Sequence, residues 1–511
     1  MTALLAIAPI LVVAIGALLL MLAEAFGKPA SPEGIAANGV VIDAGAGRSS
    51  ELALVSSVIL FAGAFASIGL WWVGPENIEG AAALAPYLVA DRFTLFFSFT
   101  LCLGGGLSVL LAGGYLPEHR LDRGEFFPLV LFSTVGAMAL AAAGDLLSLF
   151  VALETMSLGV YCLIGLRRGN LRAGEASLKY FLLGSFAAAL MLFGGALLYG
   201  ATGRTDLAGI GKALAAGGAA VSMPYALVGL ALTLVGLAFK VSAVPFHMWT
   251  PDAYEGAPTP ATTYMAVAVK SAAFAVLLRV LFTAFGSENF VAMATGWPSL
   301  VVLLAILSMT VANLIAGRQD SVKRMLAYSS IAHAGYALVG VAAAASDPGA
   351  VSSVLYYMLG YTVSTAGAFG ALILCGRRGA EAVSYADLAG IGKRHPAAAL
   401  AFSLFLLSLA GAPPTAGFFG KLYVFKAAVS NELYVLAVIG LLNSVVGAYY
   451  YLRVLVFMYM REPEPGAPIA TPMRSGLVAA SLVLAAVFTL LIGAFPESWI
   501  DMAQAATLAT P

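Results

Sequence analysis

Four ionisable side chains lie where an apolar chain can least tolerate them. Glu154 is central in LLSLFVALETMSLGVYCLIGL, and Lys270 is central in ATTYMAVAVKSAAFAVLLRVL. Lys240 lies deep in LVGLALTLVGLAFKVSAVPF, and Lys421 follows the broken stretch LAGAPPTAGFFGK. A charge at the centre of a bilayer costs about 2.5–3.5 kcal/mol on insertion scales, and such residues mark ion or proton pathways by default. Burial disfavours the charged form of an amine, whereas a neighbouring carboxylate restores it. Three lysines and one acid in apolar surroundings therefore suit reversible proton transfer. The plainer alternatives are satisfied ion pairs and snorkelling. Snorkelling works within a turn or two of a helix end, and Lys270 is too central for it.

Other residues carry the same chemistry less clearly. Lys179 follows Glu175 by four residues, the favourable order for a helical ion pair, and lies near a helix end. His333 is central in MLAYSSIAHAGYALVG, on a polar stripe with Ser329, Ser330 and Tyr336. It reads either as a hydrogen-bonded core histidine or as a relay. His247 adjoins a break in its span. Arg279, Lys426 and Arg453 lie nearer helix ends or beside tyrosines and read as structural.

The elements that must hold these residues are membrane helices. Of the 511 residues, 61% are hydrophobic and only 10% are charged. A soluble domain carries roughly 25% charged residues, so this chain must face lipid over most of its area. A crossing needs about 20 apolar residues. Such runs fall near 2–23, 51–73, 92–112, 125–143, 145–166, 176–200, 222–247, 260–284, 298–316, 325–345, 350–375, 397–429, 433–460 and 475–495. The fold class is thus an all-α polytopic membrane protein of about fourteen helices in one domain. The split at Ala143-Gly144-Asp145 is the least marked. The seventh and twelfth runs are broken, at Pro245 and at Gly411, Pro413, Pro414 and Gly417, each close to a lysine. Paired broken helices point to an internal repeat and a transport site. The spans then divide into three N-terminal helices (1–112), a first repeat (125–284, helices 4–8), a second repeat (298–460, helices 9–13) and a last helix (475–495).

Basic residues cluster in alternate connections: Lys28 and Arg48, Arg120 and Arg123, Arg167, Arg168 and Arg172, Arg318, Lys323 and Arg324, Arg377, Arg378, Lys393 and Arg394, and Arg461 and Arg474. Positive loops stay in the cytoplasm, which places both termini on the periplasmic side. The zero formal net charge argues against a nucleic-acid partner. Cys102, Cys162 and Cys375 form no CxxC or Cys/His cluster, so no metal, iron–sulfur or disulfide framework is expected on this chain. The GGG at 104–106 suits helix packing, and no Walker loop, dinucleotide fingerprint or nucleophile elbow is present. No basic n-region precedes the first run, which reads as a retained span.

The stretch FKVSAVPFHMWTPDAYEGAPTPATTYMAVAVKSAAFA resembles the signature of the antiporter-like membrane subunits of respiratory complex I. RQDSVKRMLAYSSIAHAGYALVG and ADLAGIGKRHPAAALAFSLFLLSLAGAPPTAGFFGKLYVF resemble it again. The chain is most similar to the N-type members, since it lacks a long lateral helix and carries lysine after GFFG. The resemblance implies a bacterial inner-membrane subunit that moves protons, with both inverted repeats as above. It implies that Glu154 pairs with Lys240, that Lys270 is the central lysine and Lys421 the terminal one, and that His333 and Lys179 are further relay positions. It also implies neighbouring antiporter-like and small membrane subunits as partners. NADH, FMN, iron–sulfur clusters and quinone would be bound by other subunits. The resemblance assigns no role to the acidic, proline-rich insert near 28–50. A subunit of a multisubunit sodium/proton antiporter is the alternative that shares these motifs.

Overall fold

The computed structural model describes all residues except 1, 27–33, 36–40, 43–45, 79–80, 122, 218–220, 293–295, 377–378, 464–469, 507 and 509–511. Most of the 28–50 insert, with Lys28, Arg377 and Arg378, lies outside the described residues. The insert's described part includes a two-residue antiparallel pair, Gly34–Ile35 with Val41–Ile42.

The principal helices are α1 (Ala8–Phe26), α2 (Ala46–Val73), α3 (Arg92–Glu118), α4 (Phe126–Ala142), α5 (Leu146–Ile164), α6 (Leu171–Thr202), α7 (Met223–Val241), α8 (Thr259–Ala284), α9 (Trp297–Ala316), α10 (Val322–Ala344), α11 (Val351–Leu374), α12 (Pro396–Ala410), α13 (Ala416–Ser430), α14 (Tyr434–Met460) and α15 (Gly476–Ala494). Among the described residues, twelve helical segments are long and apolar enough to cross a membrane; α4, α12 and α13 are shorter.

Polarity sorts the helices into layers. α3, α8, α10 and α11 are buried along nearly their whole length, while α1, α6, α9, α14 and α15 leave most of their surface outside. α10 and α11 are less apolar than the rim helices, because their serines, tyrosines and His333 meet protein rather than lipid. Intramembrane polar groups face the bundle interior for this reason. Small residues then set the spacing. A methyl group on Gly194 would lie 2.8 Å from the Gly229 carbonyl, and one on Gly229 would lie 2.9 Å from the Gly194 carbonyl. α6 and α7 therefore pack backbone to backbone, as small residues permit between membrane helices.

Two interruptions depart from regular helix. α7 stops at Val241 rather than running on to 247, because Ser242 adopts a left-handed conformation (φ 65°) and Pro245 has no N–H to continue the ladder. The exposed backbone of this stretch is satisfied by protein: Val244 N–H donates to Ser308 Oγ at 2.9 Å, and Trp249 Nε1 donates to the Phe239 carbonyl at 3.0 Å. α12 ends at Gly411 (φ 95°), and α13 begins five residues later. A methyl group on Gly417 would overlap the Ser408 carbonyl at 1.9 Å, so only glycine lets the two segments abut. Within α8, Met265–Val269 form a π turn immediately before Lys270. π turns inside α-helices are rare and concentrate at functional sites.

Candidate functional site

Lys240, Lys270 and Lys421 are all buried, each at least 93% shielded from solvent. Lys240 occupies the last turn of α7 and donates to Ser157 Oγ on α5 at 2.8 Å. The aromatic rings of Tyr161, Tyr180 and Phe239 surround its amine at 5.6–5.9 Å. Lys270 donates to the Ser330 carbonyl at 2.7 Å and also to the Ser330 hydroxyl. Lys421 donates to the Ala410 carbonyl and to Ser444 Oγ, both at 2.9 Å, with the Tyr336 ring 5.0 Å away. Ala410 is the last residue of α12, so Lys421 uses a carbonyl that the helix end leaves free.

None of these three lysines makes an ion pair among the described residues. The other inward-facing cations do. Arg279 pairs with Asp91 at 3.0 Å through two nitrogens, and Lys323 pairs with Glu381 at 3.1 Å. An ion-paired cation is fixed in its charged form, whereas an amine held only by hydroxyls and carbonyls can exist with or without its extra proton. Glu154 lies one turn from Ser157 on α5, and its Oε1 is buried with no hydrogen-bond partner. The contact expected between Glu154 and Lys240 is not made within 4 Å here. Ser157 takes that place.

His333 lies on α10, one turn past Ser330. Its Nδ1 contacts Tyr357 Oη at 2.6 Å, and its Nε2 contacts Tyr451 Oη at 3.1 Å. Tyr451 also meets the Ser329 hydroxyl. Tyr336, three residues further on, accepts from Asn313 Nδ2 at 3.1 Å, and Tyr450 donates to Asn313 Oδ1 at 2.9 Å. A cavity of about 10 Å³ lies between His333, Tyr357, Tyr361 and Ser364, room for about one water molecule. Hydroxyls, imidazole and water can each donate and accept, so this cluster can hand a proton on.

Lys179 stands apart. It is about half exposed and pairs with Glu175 at 2.6 Å and Asp252 at 3.0 Å. Its partners Glu175 and Asp252 border a polar pocket of about 280 Å³ with Arg172, Glu255 and Arg324. His247 is half-buried beside the α7 interruption. The residues not foreseen are Ser157, Ser444, Tyr357 and Tyr451. Serine and tyrosine in apolar helices are ordinary packing residues, and only their three-dimensional partners single them out. No group of three or more His, Cys, Asp or Glu side chains suited to a metal occurs among the described residues.

The fold defines a polytopic helical membrane protein with buried, unpaired lysines at its centre. The family profile described as NADH:quinone oxidoreductase/Mrp antiporter, TM, matches residues 143–447. NADH-quinone oxidoreductase subunit N 1 of Sorangium cellulosum is 66% identical over 99% of this chain and 98% of its own length. A chain of respiratory complex I from Thermus thermophilus with bound aureothin superposes with TM-score 0.76 at 34% identity, covering 96% of this chain and 98% of that one. A chain of the Mrp complex from Dietzia sp. has the same fold, with TM-score 0.82 at 22% identity over 98% and 97% of the two chains. The chain belongs to the NADH-quinone oxidoreductase subunit N family, the antiporter-like membrane subunits of complex I. The sodium/proton antiporter alternative shares the fold, but the identity lies with subunit N.

Proposed function

We propose that this subunit carries protons across the membrane along Glu154, Ser157 and Lys240, then Lys270 with Ser330, then His333 with Tyr357 and Tyr451, and finally Lys421. One observation carries the reading: the three buried lysines have oxygen acceptors but no carboxylate partner, while the inward-facing cations Arg279 and Lys323 have one. Electron transfer on other subunits of complex I, which hold the NADH, FMN, iron–sulfur and quinone sites, drives the line by changing the position of Glu154 relative to Lys240. Neighbouring antiporter-like and small membrane subunits transmit that change. Lys179, paired with Asp252, marks the water-facing end of the first repeat.

Fourteen spans in two inverted repeats fit this reading. The twelve long helices, α4, and the α12–α13 pair taken as one broken span supply the count. α4 packs on α5 as α9 packs on α10, matching positions in the two repeats. Both interruptions, after Val241 and after Ala410, fall beside a line lysine. Both termini are periplasmic, and the basic loops are cytoplasmic.

The test is proton translocation driven by NADH oxidation in vesicles holding the assembled complex. Alanine at Lys240, Lys270 or Lys421 abolishes most of it. Retention of full pumping by all three variants would refute the line.

A further inference from the structure

Glu381 lies in the connection after α11, 85% shielded from solvent, and gathers four side chains from four other elements. Lys323, wholly buried near the start of α10, donates to both of its oxygens at 3.1 and 3.4 Å. Arg167, just past the end of α5, approaches at 3.4 Å. Thr259, the first residue of α8, donates at 2.6 Å. Tyr115, near the end of α3, donates as well. Two further bonds tie the same place. Lys323 Nζ donates to the Ala257 carbonyl at 2.7 Å, and Val322 N–H donates to the Val383 carbonyl at 2.6 Å.

Four of the helices so gathered carry members of the proposed line. α5 bears Glu154 and Ser157, α8 bears Lys270, α10 bears Ser330 and His333, and α11 bears Tyr357. We propose that Glu381 is a positioning residue, a single buried carboxylate that sets the register of these four helices and so keeps Lys270 within reach of Ser330. This rests on the proton-line reading. The Lys270–Ser330 contact spans helices α8 and α10, whose ends Glu381 joins through Thr259 and Lys323. A hydrogen bond weakens steeply beyond about 3.2 Å, so a slip of about 1 Å between the two helices breaks it, and a misplacement of that size can cost about a hundredfold in rate. Arg167 extends the same tie to the Glu154 helix, so one carboxylate links both halves of the line. Removing it also strands the buried Lys323 without a counter-charge.

The experiment measures protons translocated per electron in vesicles containing the assembled complex, with subunit content checked by immunoblot. The variants are Glu381→Gln, the double variant Glu381→Gln with Lys323→Met, and Lys270→Ala. The double variant removes both charges and keeps the test valid where the single variant fails to assemble. We expect whichever of the two assembles to lose part of its protons translocated per electron at normal complex content, because electron transfer continues while the displaced Lys270–Ser330 step is missed. A residue that only stabilises the fold would lower complex content and leave this ratio unchanged. A wild-type ratio in assembled Glu381→Gln, or in the double variant if the single one does not assemble, overturns the proposal. If Lys270→Ala has lost pumping in that case, the positioning role alone falls. If Lys270→Ala also pumps normally, the proton line itself falls with it.

Discussion

Lys240 donates to the Ser157 hydroxyl at 2.8 Å, and Ser157 sits one helical turn from Glu154. The amine is thus held by a serine one turn along the helix from the acid, not by the acid itself. The serine hydroxyl in turn donates to the Leu153 carbonyl at 2.6 Å, which fixes its lone pairs towards the amine.

Substituting Ser157 is therefore expected to matter. Ser157→Ala leaves a buried amine without an acceptor. A hydrogen bond to a charged group is worth about 1.5–3 kcal/mol, or roughly a tenfold to hundredfold change in a rate that depends on it. NADH-driven proton uptake in vesicles should fall by about tenfold, with Ser157→Thr restoring most of it. Wild-type pumping in Ser157→Ala would show that Lys240 does not need this partner.

Glu154 and Lys240 should behave as one unit. Glu154→Gln and Lys240→Ala should each lose most of the pumping, and the double variant should lose little more than either, because groups that act together are non-additive. A double-mutant cycle on the pumping rate tests this. Losses that simply multiply would separate the two residues.

These residues differ in how far the sequence revealed them. Lys240, Lys270 and Glu154 were legible because an ionisable side chain amid twenty apolar ones is costly. The α12–α13 interruption was legible because Gly411, Pro413 and Pro414 cannot continue a helix, whereas the α4–α5 break was the least marked in sequence and is fixed in the fold by Asp145, which caps α5 by accepting from Leu147 N–H. The π turn before Lys270 left no trace, since MAVAV is ordinary helix sequence. Nor did the Glu381 cluster, whose members are spread from Tyr115 to Glu381 and meet only after folding. Arg167 and Lys323 read simply as loop charges.

His333 is expected to act through its hydroxyl partners. Tyr357→Phe removes the oxygen 2.6 Å from Nδ1 while keeping the ring. Pumping should slow by about threefold to tenfold, the effect of one neutral hydrogen bond of about 0.5–1.5 kcal/mol, with complex content unchanged. Stopped-flow measurement of proton release checks this, and an unchanged rate would leave His333 as a packing residue.

Glu381 also makes a prediction about pH. Burial alone would push its carboxyl up, but Lys323 and Arg167, with the Thr259 and Tyr115 hydroxyls, overcome this and hold it down at about 2. A glutamate in an unfolded chain titrates near 4.3. The folded value is the lower one, so its stabilisation is present above about pH 4.3 and is lost as pH falls through about 2. The depression corresponds to about 3 kcal/mol. The gap in thermal unfolding midpoint between wild type and Glu381→Gln in detergent should stay constant from pH 8 to pH 5 and narrow only below about pH 4. Narrowing already between pH 8 and pH 6 would assign the stabilisation to another group.

Topology can be checked separately. A reporter fused after Pro511 should be active on the periplasmic side, and one placed at 377–395 on the cytoplasmic side. Both on one side would break the fourteen-span arrangement.

The central claim is that a buried lysine without a carboxylate partner passes protons through this subunit, and Lys270 is its clearest case. The most direct measurement is the number of protons translocated per NADH oxidised by purified complex bearing Lys270→Ala, reconstituted in liposomes and compared with Lys270→Arg. Arginine keeps the charge but cannot release its proton, so both variants should assemble and both should lose most of the translocation. A wild-type ratio in Lys270→Arg would mean that the charge alone suffices and no proton passes through this residue.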